Sequence, residues 1–285
     1  MTTAYNTTHF QPPTYAPPSY HPGSQPAYDE SKLQFTDQVP PQYASSAGGR
    51  NILFPEKLVY DTAWVSSTSY LGPSKEEPLY AVVTPNRMFG CFNRGGITLN
   101  STTDKESAPI ASVKLEKGSK YRRSLITVAP RPGAADEKQE MVIRMHGCSS
   151  SRQEFEVPLG AGLPTERFEW RSSRGDEVKE LSGGFNFGWK LVRLDGPPIV
   201  PGTVDTSNGG YSSDGKEIVA VGIQARLLKR NPEFQFLGTG ATGQLGETFE
   251  IVAIMGFLRL CELASQEAAA GAAGASSSSS AAAVA

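Results

Sequence analysis

The sequence predicts an all-β fold with one buried helix: a closed antiparallel barrel of about twelve strands around a C-terminal hydrophobic α-helix. Between residues 51 and 246 one short strand pattern follows another, separated by Gly, Pro, Asn, Asp or Ser. The segment 248–264 would instead be apolar on every side of a helix, so other parts of the protein must enclose it. Such a helix is about 25 Å long, roughly the length of an eight-residue strand, so a barrel could cover it from end to end.

The two ends of the chain differ from this body. Residues 1–50 are rich in Pro, Tyr, Ser, Thr and Gln without apolar periodicity, and we expect a disordered tail because too little apolar surface is available to offset the ordering entropy. Residues 268–285 are a low-complexity Ala/Ser tail. The predicted barrel domain therefore spans residues 51–267.

Within the domain, β-branched and aromatic residues dominate short segments bounded by turn residues. We predict strands at Leu58–Val65, Leu79–Thr84, Met88–Phe92, Ile97–Asn100, Ile110–Glu116, Ser124–Val128, Glu140–His146, Glu154–Val157, Arg167–Arg171, Val178–Leu181, Gly188–Leu194, Ile218–Leu228 and Glu233–Leu237. Three connections have loop composition: Ser101–Pro109, Ala129–Gln139 and Pro197–Gly215.

The C-terminal helix carries a few charges. Glu247 and Glu250 lie at its predicted start and Arg259 toward its end, where each sign would suit the helix dipole. Glu250, Arg259 and Glu262 also argue against a membrane span, which needs roughly 20 largely uncharged residues. We expect neither a transmembrane segment nor a signal peptide, since no apolar N-terminal run is present.

Composition narrows the function classes. A formal net charge of −2 on 285 residues gives no indication of general nucleic-acid binding. Cys91, Cys148 and Cys261 are an odd, widely spaced set without a CxxC pair, which predicts reduced, mostly buried thiols in a cytoplasmic protein.

The order of these elements resembles the tubby C-terminal-like superfamily, which includes the LURP-one-related and phospholipid-scramblase folds. The matching residues are Asn51–Phe54, the Trp-bearing strands Arg167–Trp170 and Phe187–Lys190, and the closing helix 249–264. The resemblance covers roughly residues 51–265 and is greatest to a fungal branch of unknown function with variable Pro-rich tails. It implies a barrel around a central helix. The C-terminal signature of tubby proteins proper is not matched, so their phosphoinositide-binding residues are not carried over.

The strongest functional signal is a PPxY motif that occurs repeatedly in the tail. A Pro-Pro pair is preset in the polyproline II form and fits the aromatic groove of a WW domain at low entropic cost, and the tyrosine adds a second pocket. The predicted WW-binding residues are Pro12, Pro13, Tyr15, Pro17, Pro18, Tyr20, Pro40, Pro41 and Tyr43. A chance match in a Pro-rich tail is the alternative for any single motif.

Spacing limits how many motifs can act together. Tyr15 and Tyr20 are about 15 Å apart in polyproline II geometry, less than the roughly 20 Å diameter of a WW module, so these two motifs should compete for space. Tyr43 is separated from Tyr20 by a flexible distance of about 26 Å, which suits a second module. We therefore predict two usable sites.

Gly238, Gly240 and Gly243 form a GxGxxG pattern between a predicted strand and the C-terminal helix. The motif would bind a dinucleotide pyrophosphate at the helix N-terminus. No strand follows the helix to complete a βαβ unit, so we interpret the segment as a flexible glycine connection and predict no cofactor.

Catalytic and metal chemistry have little support. His9 and His21 lie in the tail, which leaves His146 beside Cys148 as the candidate base in the body. A zinc site needs more Cys and His at ligand spacing, so we predict no metal. A site built only from carboxylates stays open, because their spatial pairing cannot be read from the sequence.

A basic cluster provides an alternative function. Lys114, Lys117, Lys120, Arg122 and Arg123 could face anionic lipid headgroups from one hairpin, at about 1 kcal/mol per cation. The other interpretation is a solvated strand edge, where lysine discourages edge pairing. Arg226–Arg230 has the same ambiguity.

These observations predict a non-catalytic adaptor or substrate of a WW-domain ubiquitin ligase of the HECT type, whose tail recruits the ligase and whose barrel binds cargo or membrane. The alternative is a module that binds phosphoinositide or other anionic lipid at the cytosolic membrane face. We expect a cytoplasmic protein, peripheral to membranes in the second case.

Overall fold

A computed structural model describes residues 53–62, 66–85, 96–116, 118, 123–130, 139–145, 152–159, 164–184, 187–196, 210–224 and 231–278. For Met145 and residues 269–278 only the backbone is described. The strands are β1 (Lys57–Asp61), β2 (Thr68–Gly72), β3 (Tyr80–Val83), β4 (Ile97–Asn100), β5 (Pro109–Leu115), β6 (Arg123–Val128), β7 (Gln139–Met145), β8 (Arg152–Pro158), β9 (Thr165–Ser173), β10 (Gly188–Arg193), β11 (Ile218–Ile223) and β12 (Glu233–Phe236). The helices are α1 (Asp176–Ser182), α2 (Gly238–Ala241) and α3 (Gly246–Ser278).

The strands form a closed antiparallel barrel in which each strand pairs with its neighbours in sequence and β12 returns to β1. The closing pair has Leu58 opposite Phe234, and the amide of Tyr60 donates to the carbonyl of Pro232 at 2.8 Å. Closure leaves no unpaired sheet edge, which for a sheet of this size removes the main route to edge-to-edge association. The predicted fold class is confirmed.

The helix α3 fills the barrel, and every residue from Phe249 to Cys261 is buried. Its aromatic side chains meet inward-facing rings of the strands: Phe257 lies 5.4 Å from Phe234 and 6.3 Å from Trp170, measured between ring centroids. Gly222 on β11 makes room for this contact, because a Cβ there would lie 2.5 Å from the Phe257 ring. The period-2 alternation of the strands and the all-round apolar helix therefore build one core.

The direction of α3 distinguishes the two ends of the barrel. Its start lies beside the β8–β9 connection, since a Cβ on Gly246 would be 3.3 Å from the carbonyl oxygen of Leu159. We call this the upper end and the opposite one the lower end. Because strands alternate in direction, β5 joins β6 at the lower end and β10 joins β11 at the upper end.

One predicted strand is wrong. Val178–Leu181 belongs to α1, which covers the outer face of β11 through a small apolar cluster of Val178 and Leu181 with Val221 and Ile223. The segment has helix signals: Asp176 and Glu177 lie in the first turn, and Gly183 ends the helix with φ of 66°.

The sequence pattern misses one strand and makes another too long. The predicted Leu58–Val65 ends as β1 at Asp61, and β2 follows at Thr68–Gly72. Of the inward-facing β2 residues, Ser69 and Leu71, only one is apolar, so the alternation is weak. The predicted strand Met88–Phe92 lies outside the described residues.

The C-terminal helix is longer than predicted. It continues to Ser278, so Arg259 lies in the middle of α3 and the expectation that it lies near the negative end of the helix is wrong. Glu250 is buried instead of exposed in the first turn. Helix dipole terms, which act within the first and last turns, therefore do not account for Arg259.

Candidate functional sites

Most of the predicted site residues lie outside the described part of the chain. This applies to all nine residues of the PPxY motifs, to Lys117, Lys120 and Arg122, and to His146, Cys148 and Cys91. Of the basic hairpin the structure describes Lys114 and Arg123, and of the three thiols it describes Cys261, which is buried as expected.

Lys114 and Arg123 lie on the outer face of the β5–β6 hairpin at the lower end. Lys114 is exposed, and its strand position is opposite Leu125. Arg123 is 48% exposed on its side chain, and its Nε lies 3.1 Å from Glu116 Oε2. The hairpin therefore places these two predicted residues on one surface, with one of their charges compensated by Glu116.

The basic surface extends onto β7. Arg144 is directly opposite Arg123 in the sheet, and like charges in that position destabilise the pair unless carboxylates or anions compensate them. Arg144 Nη1 lies 3.7 Å from Glu156 Oε1. Lys114, Arg123 and Arg144 face three carboxylates, Glu116, Glu154 and Glu156, because Glu154 on β8 is directly opposite Arg144, so this described surface is close to neutral.

The outer wall of β8–β10 is different, because its charges form a continuous set of ion pairs. Glu169 accepts from Arg171 and lies 3.2 Å from Arg152, and Arg171 also reaches Asp214 at 2.9 Å. The Ser212 hydroxyl and then the Arg171 guanidinium lower the pKa of Asp214 to about 2. The charged side chains of this surface are paired with one another, so little net charge is available to attract a charged ligand.

A cavity of about 390 Å³ opens at the upper end. It is lined by Glu56 and Glu217 and by α2 with the turn after it: Gly238, Thr239, Ala241, Thr242 and Gln244. Both carboxylates have other partners. Gln235 Nε2 donates to Glu56 at 3.1 Å, and the Thr239 amide donates to Glu217 at 2.8 Å.

A partly buried ion pair supports this wall of the cavity. Arg193 donates through Nη2 to Glu166 at 2.7 Å, and its Nη1 lies 3.6 Å from Glu217. The side-chain hydrogen bond to Glu166 raises the pKa of Arg193. Since Glu217 joins Arg193 to the start of α2, its role in the described structure is to hold α2 on the barrel, and the acidic lining opposes a phosphate ligand.

The glycines of the GxGxxG pattern have structural explanations. Gly238 and Gly243 have φ of 50° and 69°, a region that favours glycine. A Cβ on Gly240 would lie 2.2 Å from the carbonyl oxygen of Val219, so this glycine allows α2 to pack on β11. The segment forms α2 and a turn instead of the flexible connection that the sequence predicts. The amide of Thr239, which would face a pyrophosphate, is bonded to Glu217.

Glu250 connects the barrel core to the segment before β1. Its Oε2 accepts from the amides of Leu53 at 2.9 Å and Phe54 at 3.3 Å, and the Tyr80 hydroxyl donates to the carbonyl of Leu53 at 3.0 Å. Burial raises the pKa of Glu250 to about 7 against these two donors, with a smaller contribution from Glu247. The chain that leads from the tail is thus fastened to α3 at the upper end.

Arg259 is 4% exposed, and its Nε has no hydrogen-bond partner within the described ranges. Burial lowers its pKa, with a small opposing effect of Glu262. Sequence reasoning placed both Glu250 and Arg259 on the helix but missed their burial. A charge inside an otherwise apolar, enclosed helix was the signal that could have indicated it.

Wider comparisons add no assignment. No protein-family profile, curated protein or solved structure matches this chain. Within the described ranges, no His, Cys, Asp and Glu side chains group in a way that could hold a metal ion. None of the helices described combines the length and apolar character that crossing a membrane requires.

Proposed function

We propose that this protein is a non-catalytic adaptor or substrate of a WW-domain ubiquitin ligase of the HECT type. The observation that carries the proposal is the repetition of PPxY in one Pro-rich segment, at Tyr15, Tyr20 and Tyr43. Each motif is weak alone, but two that engage tandem WW domains gain roughly 10² to 10⁴ in avidity when the linker spans the sites. The barrel, of the tubby C-terminal-like type in this proposal, binds the cargo or membrane.

The attachment of the tail supports this division of labour. Leu53 is bonded to Glu250 at the upper end, and Tyr43 precedes it by ten residues. As a flexible chain, a stretch of this length has a root-mean-square end-to-end distance of about 17 Å, so a WW domain on Tyr43 would on average lie nearer the upper end than the lower end. The basic hairpin lies at the lower end, about 25 Å away along α3. Ligase and membrane or cargo could therefore be bound at the same time.

The test is calorimetric titration of the full chain with a protein that contains two WW domains in tandem. Tyr15→Ala or Tyr20→Ala alone should cost little, because each motif replaces the other. Tyr43→Ala should weaken binding at least tenfold, and the Tyr15→Ala, Tyr20→Ala double variant should match it. Tyr28→Ala is the matched control, since Tyr28 lies in the same tail but follows Pro26-Ala27. Absence of binding by the wild type rules out the proposal.

The second candidate is binding to anionic lipid. It is favoured by the exposed Lys114 and by the direct opposition of Arg123 and Arg144 at the lower end. Vesicles with anionic headgroups should float with the wild type at low salt and lose it when Lys114, Lys117, Lys120, Arg122 and Arg123 are all changed to Ala. Arg167→Ala is the control, because Arg167 on β9 is paired with Asp195 at 2.7 Å. No flotation at low salt removes this candidate.

A further inference from the structure

Several buried side chains in the described part of the barrel, Thr84 and Gln224 among them, carry polar atoms without a hydrogen-bond partner there, and four of these side chains lie on β6, β8, β9 and α3. The residues are Gln153 and Trp170, both 0% exposed, Ser124 at 1% and Arg259 at 4%. The atoms are Nε2 and Oε1 of Gln153, Nε1 of Trp170, Oγ of Ser124 and Nε of Arg259. Proteins leave few buried polar atoms without partners, and a group of them on one side of a core suggests an unseen ligand or water.

Sheet register and helix geometry bring three of these groups together. Gln153 is directly opposite Trp170 across β8 and β9, and Ser124 is opposite Ile143 across β6 and β7. Trp170 Nε1 and Ile143 Cδ1 both approach one point on α3, at 2.8 Å and 3.9 Å from where a Cβ on Gly256 would be.

Arg259 follows Gly256 by three residues, so it lies on the same side of α3 and about 4.5 Å further along. Its Cβ is directed back toward the helix start, which brings the side chain toward that point. Gln153, Trp170 and Arg259 therefore face one part of the interior, between α3 and strands β8 and β9, whereas Ser124 on β6 is three strands, or about 14 Å, from Trp170.

Gly256 also allows the Trp170 indole to approach the backbone of α3 closely. A Cβ at this position would lie 2.8 Å from Trp170 Nε1 and 3.2 Å from its Cδ1. Glycine is less favourable than alanine inside a helix, so its presence indicates a packing or ligand reason.

The charge in this group needs a counter-charge. Arginine keeps its proton under nearly all conditions, and an uncompensated buried cation is costly. The described carboxylate that acts on Arg259 is Glu262, which forms no ion pair with it and accepts from Gln266 at 3.0 Å. The strands that meet at the lower end are connected in sequence partly by residues outside the described ranges, and none of these residues is Asp or Glu: 63–65, 86–95, 117, 119–122, 146–151, 185–186 and 225–230.

We propose that this interior region is a binding site for one small monovalent anion, a halide or a carboxylate group. Arg259 supplies the positive charge, and the Trp170 N–H and the Gln153 amide supply neutral donors. One cation with neutral donors matches a single negative charge. A polyphosphate would carry charge that the site does not neutralise.

The direct test is diffraction from crystals of the full chain grown or soaked in sodium bromide, using the anomalous signal of bromine. The expected result is a peak within about 3.5 Å of the Arg259 guanidinium and of Trp170 Nε1. A water molecule there with no anomalous signal at saturating bromide overturns the proposal.

The solution test follows the melting temperature against chloride or formate at constant ionic strength, with a bulky sulfonate as the balancing anion. At ten times its dissociation constant the anion should change the unfolding equilibrium constant about tenfold and raise the melting temperature by about 3–6 °C. Arg259→Met should lose that shift, whereas Arg152→Met, at an arginine whose side chain is 54% exposed, should keep it.

Two outcomes of the solution test count against the site. An equal shift in wild type and Arg259→Met indicates a general salt effect on the protein surface. If Arg259→Met does not fold, Gln153→Leu serves instead, and an unchanged shift in that variant removes the amide from the site. The bromide experiment needs no variant and decides in either case. An adventitious surface ion only would give peaks away from Arg259 and overturn the proposal.

Discussion

The buried part of α3, residues 249–264, contains one buried ionisable side chain in each half, and the two halves, 249–256 and 257–264, differ in how that side chain is accommodated. Glu250, near the start, accepts from the backbone amides of Leu53 and Phe54. Arg259, nine residues later, has an Nε without a partner within the described ranges. Inside a barrel the strand amides and carbonyls are used by the ladder, so free backbone groups occur where the chain enters. The upper end therefore provides backbone donors for a buried carboxyl group, whereas the described residues around Arg259 provide no equivalent acceptor for a cation.

The largest effect is expected from a substitution that prevents the core around α3 from forming. Phe257→Asp places a carboxylate among Trp170, Trp189 and Phe234, and we expect no soluble folded protein because the loss exceeds about 5 kcal/mol. Soluble yield and thermal melting measure this. Phe187→Asp is the control at a 39% exposed phenylalanine and should fold. A cooperative melt for Phe257→Asp would contradict a core built around α3.

The next perturbation acts on the first half of α3 alone. Glu250→Ala leaves the amides of Leu53 and Phe54 without their acceptor and opens space in the core, for an expected loss of about 2–5 kcal/mol. Glu250→Gln retains an acceptor oxygen and should lose far less at pH 6. Chemical denaturation of the two variants provides the measurement. Equal losses would show that the two hydrogen bonds do not stabilise the upper end.

The pH dependence of stability tests the same residue without a large change of shape. The pKa of Glu250 is raised from 4.5 to about 7, so its contribution is full below about pH 4.5 and is lost as pH rises to about 7. The total is on the order of 3 kcal/mol. The wild type should therefore lose stability between pH 5 and pH 8, and Glu250→Gln should show a flatter profile.

Asp195 and Asp214 affect stability in a different pH range. Their pKa values are lowered in the fold, so their contributions to stability are lost at acid pH. Denaturation curves at several pH values above 5 isolate Glu250. A wild-type stability that increases from pH 5 to pH 8 would be inconsistent with a raised pKa at this position.

Replacing Arg259 should not destabilise the protein, in contrast to replacing Glu250. Arg259→Met removes a buried charge and retains a long side chain. In buffer whose only anion is the bulky sulfonate, we expect the free energy of unfolding to stay the same or to rise by up to about 3 kcal/mol. Denaturant midpoints of wild type and variant give the value. A loss as large as that of Glu250→Ala would show that Arg259 has a protein partner and that the two halves are alike.

The smallest change in stability is expected on the outer surface of the barrel, away from α3. Arg144→Ala and Glu156→Ala, at side chains 54% and 50% exposed, should each change the unfolding free energy by less than about 1 kcal/mol, since exposed ion pairs are weak and screened. The double variant measures their coupling. A coupling above about 2 kcal/mol would mean that the β7–β8 surface is more ordered than its exposure indicates.

Local pattern predicts the strands well where one face is buried and the other is polar. Ile97–Asn100 has the predicted bounds, and Ser124–Val128 differs by one residue from β6. Strand prediction from local pattern fails where helix and strand signals occur in the same segment. Val178–Leu181 is predicted as a strand although the i, i+3 spacing of its apolar residues, the acidic first turn and Gly183 are typical of a helix. Ser69 on β2 contributes an inward polar residue, which breaks the alternation on which the prediction depends.

The candidate sites divide in the same way. PPxY motifs are linear and can be recognised without a fold, so they remain predictions of the sequence about a segment outside the described residues. The basic hairpin is predicted from a charge cluster, but its extension to Arg144 depends on register across β6 and β7. The cavity beside α2 and the interior polar groups involve residues far apart in the chain, which no local pattern connects.

The sequence by itself determined the all-β class, the enclosed C-terminal helix and the Pro-rich PPxY tail, because hydrophobic periodicity and turn chemistry act over a few residues. Only the tertiary structure decided that β12 closes on β1, that Glu250 binds the segment at Leu53, and that Trp170 lies opposite Gln153 and beside Gly256 of α3. Barrel closure and register set these contacts, and both depend on the simultaneous packing of all strands around α3.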